Sequence, residues 1–277
     1  MKIFSPAKIN LFLNIVGKFD DGYHDIRSVI SRVDLYDEIF IEESEKLNIS
    51  FTGEFSSMIQ NNNILNLFLF LADHKMIKKN FFSIKINKNI PVGAGLGGGS
   101  SNIASVLNYL EDKKFISSND KITISRKLGS DIEFFLNDGH ALIAGKGEVK
   151  SRGNKTEELH TVIVYPKIAL QTYQVYKSVR SYDDGQINTF INLNQTSLLE
   201  ILEKNKNFLE SAAVMICPEI KKITEILKLY PKCLFPRMTG SGSSCFGVFK
   251  EKKDAEYVEN DLKIKHPDWW TCSAKII

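Results

Sequence analysis

The residues best suited to chemistry in this 277-residue chain are a run of glycines, one lysine and one aspartate. The segment Pro91-Val-Gly-Ala-Gly-Leu-Gly-Gly-Gly-Ser-Ser-Asn102 puts five glycines into the seven positions 93–99. Glycine permits backbone angles and close approaches that a Cβ obstructs, so Gly93, Gly95, Gly97, Gly98 and Gly99, with Leu96 between them, can turn several N–H groups toward one anion. A helix starting near Ser100 would add unsatisfied N–H groups and the positive end of its dipole. The hydroxyls of Ser100 and Ser101 could contact phosphate or Mg²⁺, and Asn102 could hold the loop or reach a nucleotide. Ordering so many glycines for a turn that binds nothing costs backbone entropy, which favours an anion site. The loop is not the common P-loop, since no Gly-Lys-Ser/Thr follows at the required spacing. Gly93, Gly95 and Gly98 fit G-x-G-x-x-G, but without the opening βαβ unit and ribose-binding acid of a dinucleotide fold.

Phosphoryl transfer needs charge neutralised on the moving group and an oriented, preferably deprotonated, acceptor hydroxyl. Lys8 and Asp131 are the candidates if the fold joins them. The lysine would lower the carboxylate's pKa and attract the transferring group, and the aspartate would orient the hydroxyl and accept its proton. Taken alone, an aspartate placed like Asp131 is more often a cap or turn residue, and a lysine like Lys8 a surface charge. A second N–H-rich turn, Thr239-Gly-Ser-Gly-Ser-Ser-Cys245, could steady a substrate or phosphates through Gly240 and Ser241. It reads equally as a glycine hairpin before a strand.

These residues sit at the ends of recognisable elements. In the opening segment Lys8, Asn10, Phe12 and Asn14 share one parity and Ile9, Leu11, Leu13 and Ile15 the other, the period of a strand. Its polar face is either functional or the solvated side of an edge strand. A turn over Gly17–His24 precedes two expected strands, Val29–Val33 and Glu38–Glu42, of a largely antiparallel sheet. Asn61-Asn-Asn63 introduces a helix through Ile64, Leu67, Phe68 and Leu71. Phe82, Ile84 and Ile86 alternate as a strand running into the glycine loop, and Ile103, Val106, Leu107 and Leu110 recur at helical spacing after it. A short helix is expected from Ser117–Asp120 to Gly129, then Asp131 and the apolar run Ile132–Leu136. Strands are expected at Ala141–Ala144 and Thr161–Tyr165, helices around Asn194–Glu203 and Ile220–Leu229, and a closing strand in Trp269–Ile277. The polar stretch Ser151–Leu159 suits a junction between an N-terminal domain, 1–155, and a C-terminal domain, 156–277.

With 36 Lys+Arg against 33 Asp+Glu, the net charge of +3 does not concentrate the basic surface that nucleic-acid binding needs. Cys217, Cys233, Cys245 and Cys272 are widely spaced and form no metal pattern, so free thiols of a reducing compartment are expected. Ile64–Ala72 is apolar but far shorter than a membrane span, and the N-terminus lacks a secretory leader. A cytoplasmic protein is expected, a monomer or weak homodimer, with no membrane, nucleic acid or structural metal among its partners.

Four segments in order along the chain resemble the GHMP kinase superfamily, which includes galactokinase and the homoserine, mevalonate and phosphomevalonate kinases. They are Ser5-Pro-Ala-Lys-Ile-Asn-Leu-Phe-Leu13, Asp21-Gly-Tyr-His24, Pro91–Asn102 and Thr239–Cys245; Leu128-Gly-Ser-Asp-Ile-Glu-Phe-Phe135 adds the aspartate. The glycine loop carries only the superfamily; the opening segment with Gly22-Tyr-His24 points to a branch with a cytidine diphosphate-linked acceptor, in non-mevalonate isoprenoid precursor synthesis. The resemblance implies an α+β, two-domain fold, with an N-terminal domain like domain 2 of ribosomal protein S5 and a ferredoxin-like C-terminal domain. It implies transfer from ATP, with Mg²⁺, to an alcohol. Lys8 would partner the base Asp131, Pro91–Asn102 would hold ATP, and Asn10 would position the acceptor. Tyr23 and His24 would lie at the cytidine end, Tyr176 would stack on cytosine, and Thr172, Gly240 and Ser241 would make nearby contacts. Glu133 stands where the family usually has proline. Close to Asp131 it would raise that residue's proton affinity, whereas strand alternation over 132–136 would turn it away. Another GHMP kinase, or a catalytically silent nucleotide-binding regulator, is the competing reading.

Overall fold

Alternating and 3.6-residue patterns resolve, in a computed structural model describing residues 1–77, 81–153, 157–182 and 191–277, into ten strands and nine α-helices. In chain order these are β1 Lys2–Lys18, β2 His24–Ser44, β3 Asn48–Thr52, α1 Asn63–Asp73, β4 Phe81–Asn87, α2 Gly98–Asp112, α3 Ser118–Leu128, α4 Ile132–Phe135, β5 His140–Gly145 and β6 Glu148–Gly153. There follow β7 His160–Tyr165, α5 Thr172–Lys177, α6 Leu198–Lys204, α7 Glu210–Ile216, α8 Glu219–Lys228, β8 Leu234–Met238, β9 Cys245–Phe249, α9 Lys252–Lys265 and β10 Trp270–Lys275. Residues 154–156 of the expected junction lie outside the described residues. The chain groups into two units, residues 1–7, 35–92 and 97–138, and residues 8–34, 93–96 and 139–277.

In the first unit the second half of β2 pairs antiparallel with β4, Ile39 opposite Ile86 and Ile41 opposite Ile84. β3 lies parallel to β4 on its other side. The inward faces carry Ile39, Ile41, Phe82, Ile84 and Ile86, each at most 1% exposed, so every second residue is withdrawn from water. Each such side chain contributes about 1.5–3 kcal/mol of burial. α1 begins at Asn62, whose Oδ1 accepts from the Leu65 N–H at 2.9 Å. α3 begins in a capping box in which Ser117 and Asp120 satisfy each other's N–H groups.

In the second unit β5 pairs with the first half of β2 and with β6, both antiparallel. A separate four-stranded sheet has the order β10-β7-β9-β8, antiparallel throughout. Numbered along the chain that order is 4-1-3-2, with helices after its first and third strands, the ferredoxin-like arrangement. α8 explains how the sheet is covered: Ile220, Ile223 and Leu227, spaced three and four residues apart, are fully buried while its lysines face out. They join Val162, Val164, Phe249 and Leu262 in one core.

Two sequence expectations change and two open readings are decided. Val29–Val33 and Glu38–Glu42 are parts of one 21-residue strand, β2, because no residue between them breaks the ladder. The helix expected at Asn194–Glu203 starts only at Leu198, where Ser197 caps it by accepting from the Glu200 N–H at 3.1 Å. Ile132–Phe135 is a turn of helix, not an alternating strand. β1 is not a solvated edge, since Lys8, Asn10 and Asn14 are as buried as Ile9 and Leu11.

Candidate active site

The second unit gathers Lys8, Asn10, residues 93–96 and the turn 239–244. β1 fixes the first two on one strand face, two residues apart. The Lys8 Nζ donates to Asn10 Oδ1 at 2.5 Å, and the Asn10 amide donates in turn to Ser28 Oγ at 2.8 Å. Ser28 donates to the Phe12 carbonyl, so the chain of donors ends on the backbone of the same strand. Lys8 and Asn10 are 4% and 3% exposed. A buried ammonium is tolerated only with oxygen partners around it, which makes this a prepared cationic position rather than a surface charge. The Lys8 N–H donates to the Leu96 carbonyl at 2.9 Å and the Asn10 N–H to Thr239 Oγ1 at 2.9 Å, tying the strand to both turns.

The turn is built for close approach. Gly240 has φ +56, and a Cβ there would lie 3.2 Å from Lys8 Nζ and 3.3 Å from Asn10 Oδ1. Gly95, φ +78, leaves no room either: its Cβ would fall 2.6 Å from the Thr239 carbonyl and 3.0 Å from that of Gly242. The Ser244 N–H donates to the Ala94 carbonyl at 3.2 Å, and the Leu170 N–H to that of Gly93 at 3.2 Å. Asn207 donates from Nδ2 to the Met238 and Gly240 carbonyls, both at 2.8 Å, holding the turn from behind. Ser241 Oγ meets Thr172 Oγ1 at 3.0 Å.

At the start of β2, the His24 ring is 5.2 Å from the Tyr176 ring and 6.3 Å from that of Tyr182. Burial, with a smaller contribution from the Lys18 charge, holds the His24 imidazole below its ordinary pKa of 6.5, so it is neutral near pH 7. Tyr23 is 63% exposed beside it.

The first unit holds the rest of the glycine segment. Pro91 is buried ahead of it. α2 begins at Gly98, two residues earlier than expected, behind Gly97 in the left-handed region at φ +71. A Cβ on Gly98 would meet Ile90 at 3.0 Å and Lys88 Nζ at 3.3 Å, and one on Gly99 would meet Asn63 Nδ2 at 2.9 Å. Ser100 is half-buried at the helix start. Ser101 is fully buried and its hydroxyl accepts from Ser5 at 2.8 Å. Asn102 Oδ1 is buried with no hydrogen-bond partner among the described residues. Behind the segment, Asp37 pairs with Lys88, 0% and 5% of their side chains exposed, and accepts from the Asn89 and Ile90 N–H groups at 2.8 and 2.9 Å.

Asp131, also in the first unit, is the half-buried residue at the entry of α4, and its side chain caps no helical N–H. Glu133 is gripped by Arg126, whose Nε and terminal nitrogen donate to its two oxygens at 3.1 and 3.0 Å. That two-point pair engages both oxygens of the Glu133 carboxylate. Among the described residues no group of three or more His, Cys, Asp or Glu side chains could hold a metal ion. No helix among them is long and apolar enough to cross a membrane. All four cysteines carry free thiols.

Sequence reading did not single out Ser28, Asp37, Lys88 or Asn207. Each is an ordinary polar residue whose meaning comes from its neighbours in space, and no spacing rule marks it.

Two family models match the chain, "GHMP kinases N terminal domain" over residues 62–139 and "GHMP kinases C terminal" over residues 186–268. With the glycine segment and the ferredoxin-like unit, they make the chain a small-molecule kinase of the GHMP class. The 4-diphosphocytidyl-2-C-methyl-D-erythritol kinase of Pelagibacter ubique is 37% identical over 100% of this chain and 99% of its own length. That of Anaplasma marginale (strain Florida) is 33% identical over 99% of this chain and 96% of its own. A solved structure of a 4-(cytidine 5'-diphospho)-2C-methyl-D-erythritol kinase superimposes with a TM-score of 0.79 at 26% identity, covering 99% of each chain. The chain belongs to the 4-diphosphocytidyl-2-C-methyl-D-erythritol kinase family.

Proposed function

We propose that the protein transfers the γ-phosphoryl group of ATP to the 2-hydroxyl of 4-diphosphocytidyl-2-C-methyl-D-erythritol, giving the 2-phosphate and ADP for non-mevalonate isoprenoid synthesis in the cytoplasm. The observation that carries this reading is the buried Lys8–Asn10 pair against the Gly240 turn, in a chain whose full-length relatives bear that enzyme's name. Gly93–Asn102 forms the ATP cradle. Gly97 is left-handed, and a Cβ on Gly95, Gly98 or Gly99 would meet protein atoms at 3.0 Å or less, so only glycine lets the backbone pack this closely; the buried Asn102 Oδ1 has no hydrogen-bond partner among the described residues.

Asp131 is the base. Placed at the entry of α4, its carboxylate would align the acceptor hydroxyl and take its proton. Lys8 balances charge developing on the phosphoryl oxygens, and Asn10 fixes the lysine while touching the acceptor. The cytosine lies between aromatic faces at Tyr176 and Tyr23. Its edge is read at His24, and Thr172, Gly240 and Ser241 line the path to the reacting hydroxyl. The described residues form no carboxylate cage, so Mg²⁺ would be held chiefly by the ATP phosphates, where it shields their charge. Asp131→Asn should lower kcat by about 10²–10⁴-fold and leave ATP binding intact. Wild-type turnover by the folded variant would reject the assignment.

A further inference from the structure

Lys146 stands at the tip of the β5–β6 hairpin between Gly145 and Gly147, both at positive φ. Its N–H donates to Glu148 Oε2 at 3.1 Å, and the Glu148 carboxylate occupies the space that a Cβ on Gly145 would need. Ile26 pairs with Gly145 and Arg27 with Ala144, so this tip emerges beside the turn that leads into β2. From there the side chain crosses to that turn. Its ammonium pairs with the Asp21 carboxylate and stands 5.2 Å from the centre of the Phe19 ring and 5.4 Å from that of Tyr23. Asp21 in turn accepts from the Tyr23 N–H at 3.2 Å, and the turn is closed by Phe19 N–H to the Tyr23 carbonyl at 2.7 Å.

An exposed ion pair or a single exposed cation–π contact is weak. Here three such contacts share one ammonium and act on a single turn. That turn delivers Tyr23, otherwise largely in solvent, and His24. We propose that Lys146 is a positioning residue for the acceptor: it pre-orders residues 19–23, so that less conformational entropy is lost when the cytidine end docks. The inference rests on the reading that cytidine lies against His24 and Tyr176.

The test is steady-state kinetics of the full chain with ATP and 4-diphosphocytidyl-2-C-methyl-D-erythritol. Lys146→Gln should raise the acceptor KM three- to tenfold, with kcat, the ATP KM and the melting temperature unchanged. Lys146→Arg, which keeps the positive charge and brings a planar guanidinium that can lie over the Phe19 and Tyr23 rings, should restore the wild-type KM. Asp21→Asn should raise the acceptor KM in the same direction by a smaller factor. A normal acceptor KM in Lys146→Gln, where Tyr176→Ala raises it, overturns the inference alone; a normal KM in Tyr176→Ala overturns the site reading and the inference together. A raised KM in Lys146→Gln with none in Asp21→Asn would mean that the ammonium touches the acceptor itself, which also overturns the positioning role. So would an equal loss across kcat and both KM values.

Discussion

Replacing Gly95 with alanine separates two costs that glycine avoids. At φ +78 an L-residue costs about 1–2 kcal/mol from the contact of its Cβ with backbone. The added methyl also falls 2.6 Å from the Thr239 carbonyl and 3.0 Å from the Gly242 carbonyl, both backbone atoms that cannot swing aside. Overpacking of this kind adds about 1–3 kcal/mol. Gly22→Ala is the matched control, because φ is +88 yet nothing among the described residues lies within 4 Å of the added carbon. The difference between the two substitutions, about 1–3 kcal/mol, isolates the fit between residues 93–96 and the 239–242 turn. At roughly 2–4 °C per kcal/mol for a chain of this size, Gly95→Ala should melt about 2–12 °C below Gly22→Ala. Relaxing the clash must also move the proposed ATP cradle, so the ATP KM should rise at least about tenfold in Gly95→Ala and stay near wild type in Gly22→Ala. Calorimetry and initial-rate kinetics read both. Equal melting temperatures together with an unchanged ATP KM would refute the reasoning.

Three further outcomes follow from buried charge and buried thiols. Asp37→Ala leaves the buried Lys88 ammonium and two N–H groups unpaired and should cost about 3–5 kcal/mol by denaturant unfolding. The double change Asp37→Leu with Lys88→Met should cost less, and a larger loss in the double variant would contradict the account. The His24 imidazole should titrate below 6.5 by proton NMR. Its share of stability is complete above about pH 7.5 and is lost as the pH falls through 6.5 toward the depressed folded value; an inflection at or above 6.5 would contradict the stated causes. Burial pushes the Cys233 and Cys272 thiols up to about 12 and raises those of Cys217 and Cys245. A thiol reagent at pH 8 should therefore label the native chain slowly and all four cysteines once it is unfolded.

The parts of the site legible in the sequence are those whose chemistry is local. The glycine segment declares itself because backbone freedom is written in residue type, and the period-two pattern of β1 puts Lys8 and Asn10 on one face with no tertiary information. Gly240 and Ser241 were visible as a turn, but the proximity of Gly240 to Lys8 depends on strand β8 and on Asn207, which is 31 and 33 residues away from the carbonyls it holds. The burial of the polar face of β1 was equally invisible, because alternation looks the same whether a sheet or solvent covers it. Ile132–Phe135 was left open for a related reason: three apolar residues around Glu133 carry no decisive period, and the short helix is decided by its surroundings. The clasp of Lys146 on the 19–23 turn joins residues 125 apart in sequence. Only the pairing of β2 with β5 brings them together.

Turnover of defined acceptors by the purified protein tests the central claim most directly. With ATP, Mg²⁺ and 4-diphosphocytidyl-2-C-methyl-D-erythritol, one ADP should form for each new phosphate, and phosphorus NMR should place that phosphate on the 2-oxygen. Homoserine, mevalonate and galactose, which offer a hydroxyl but no cytosine for Tyr176 and His24, should give no comparable kcat/KM. Equal efficiency on any of these three, or a phosphate on another oxygen, would contradict the account.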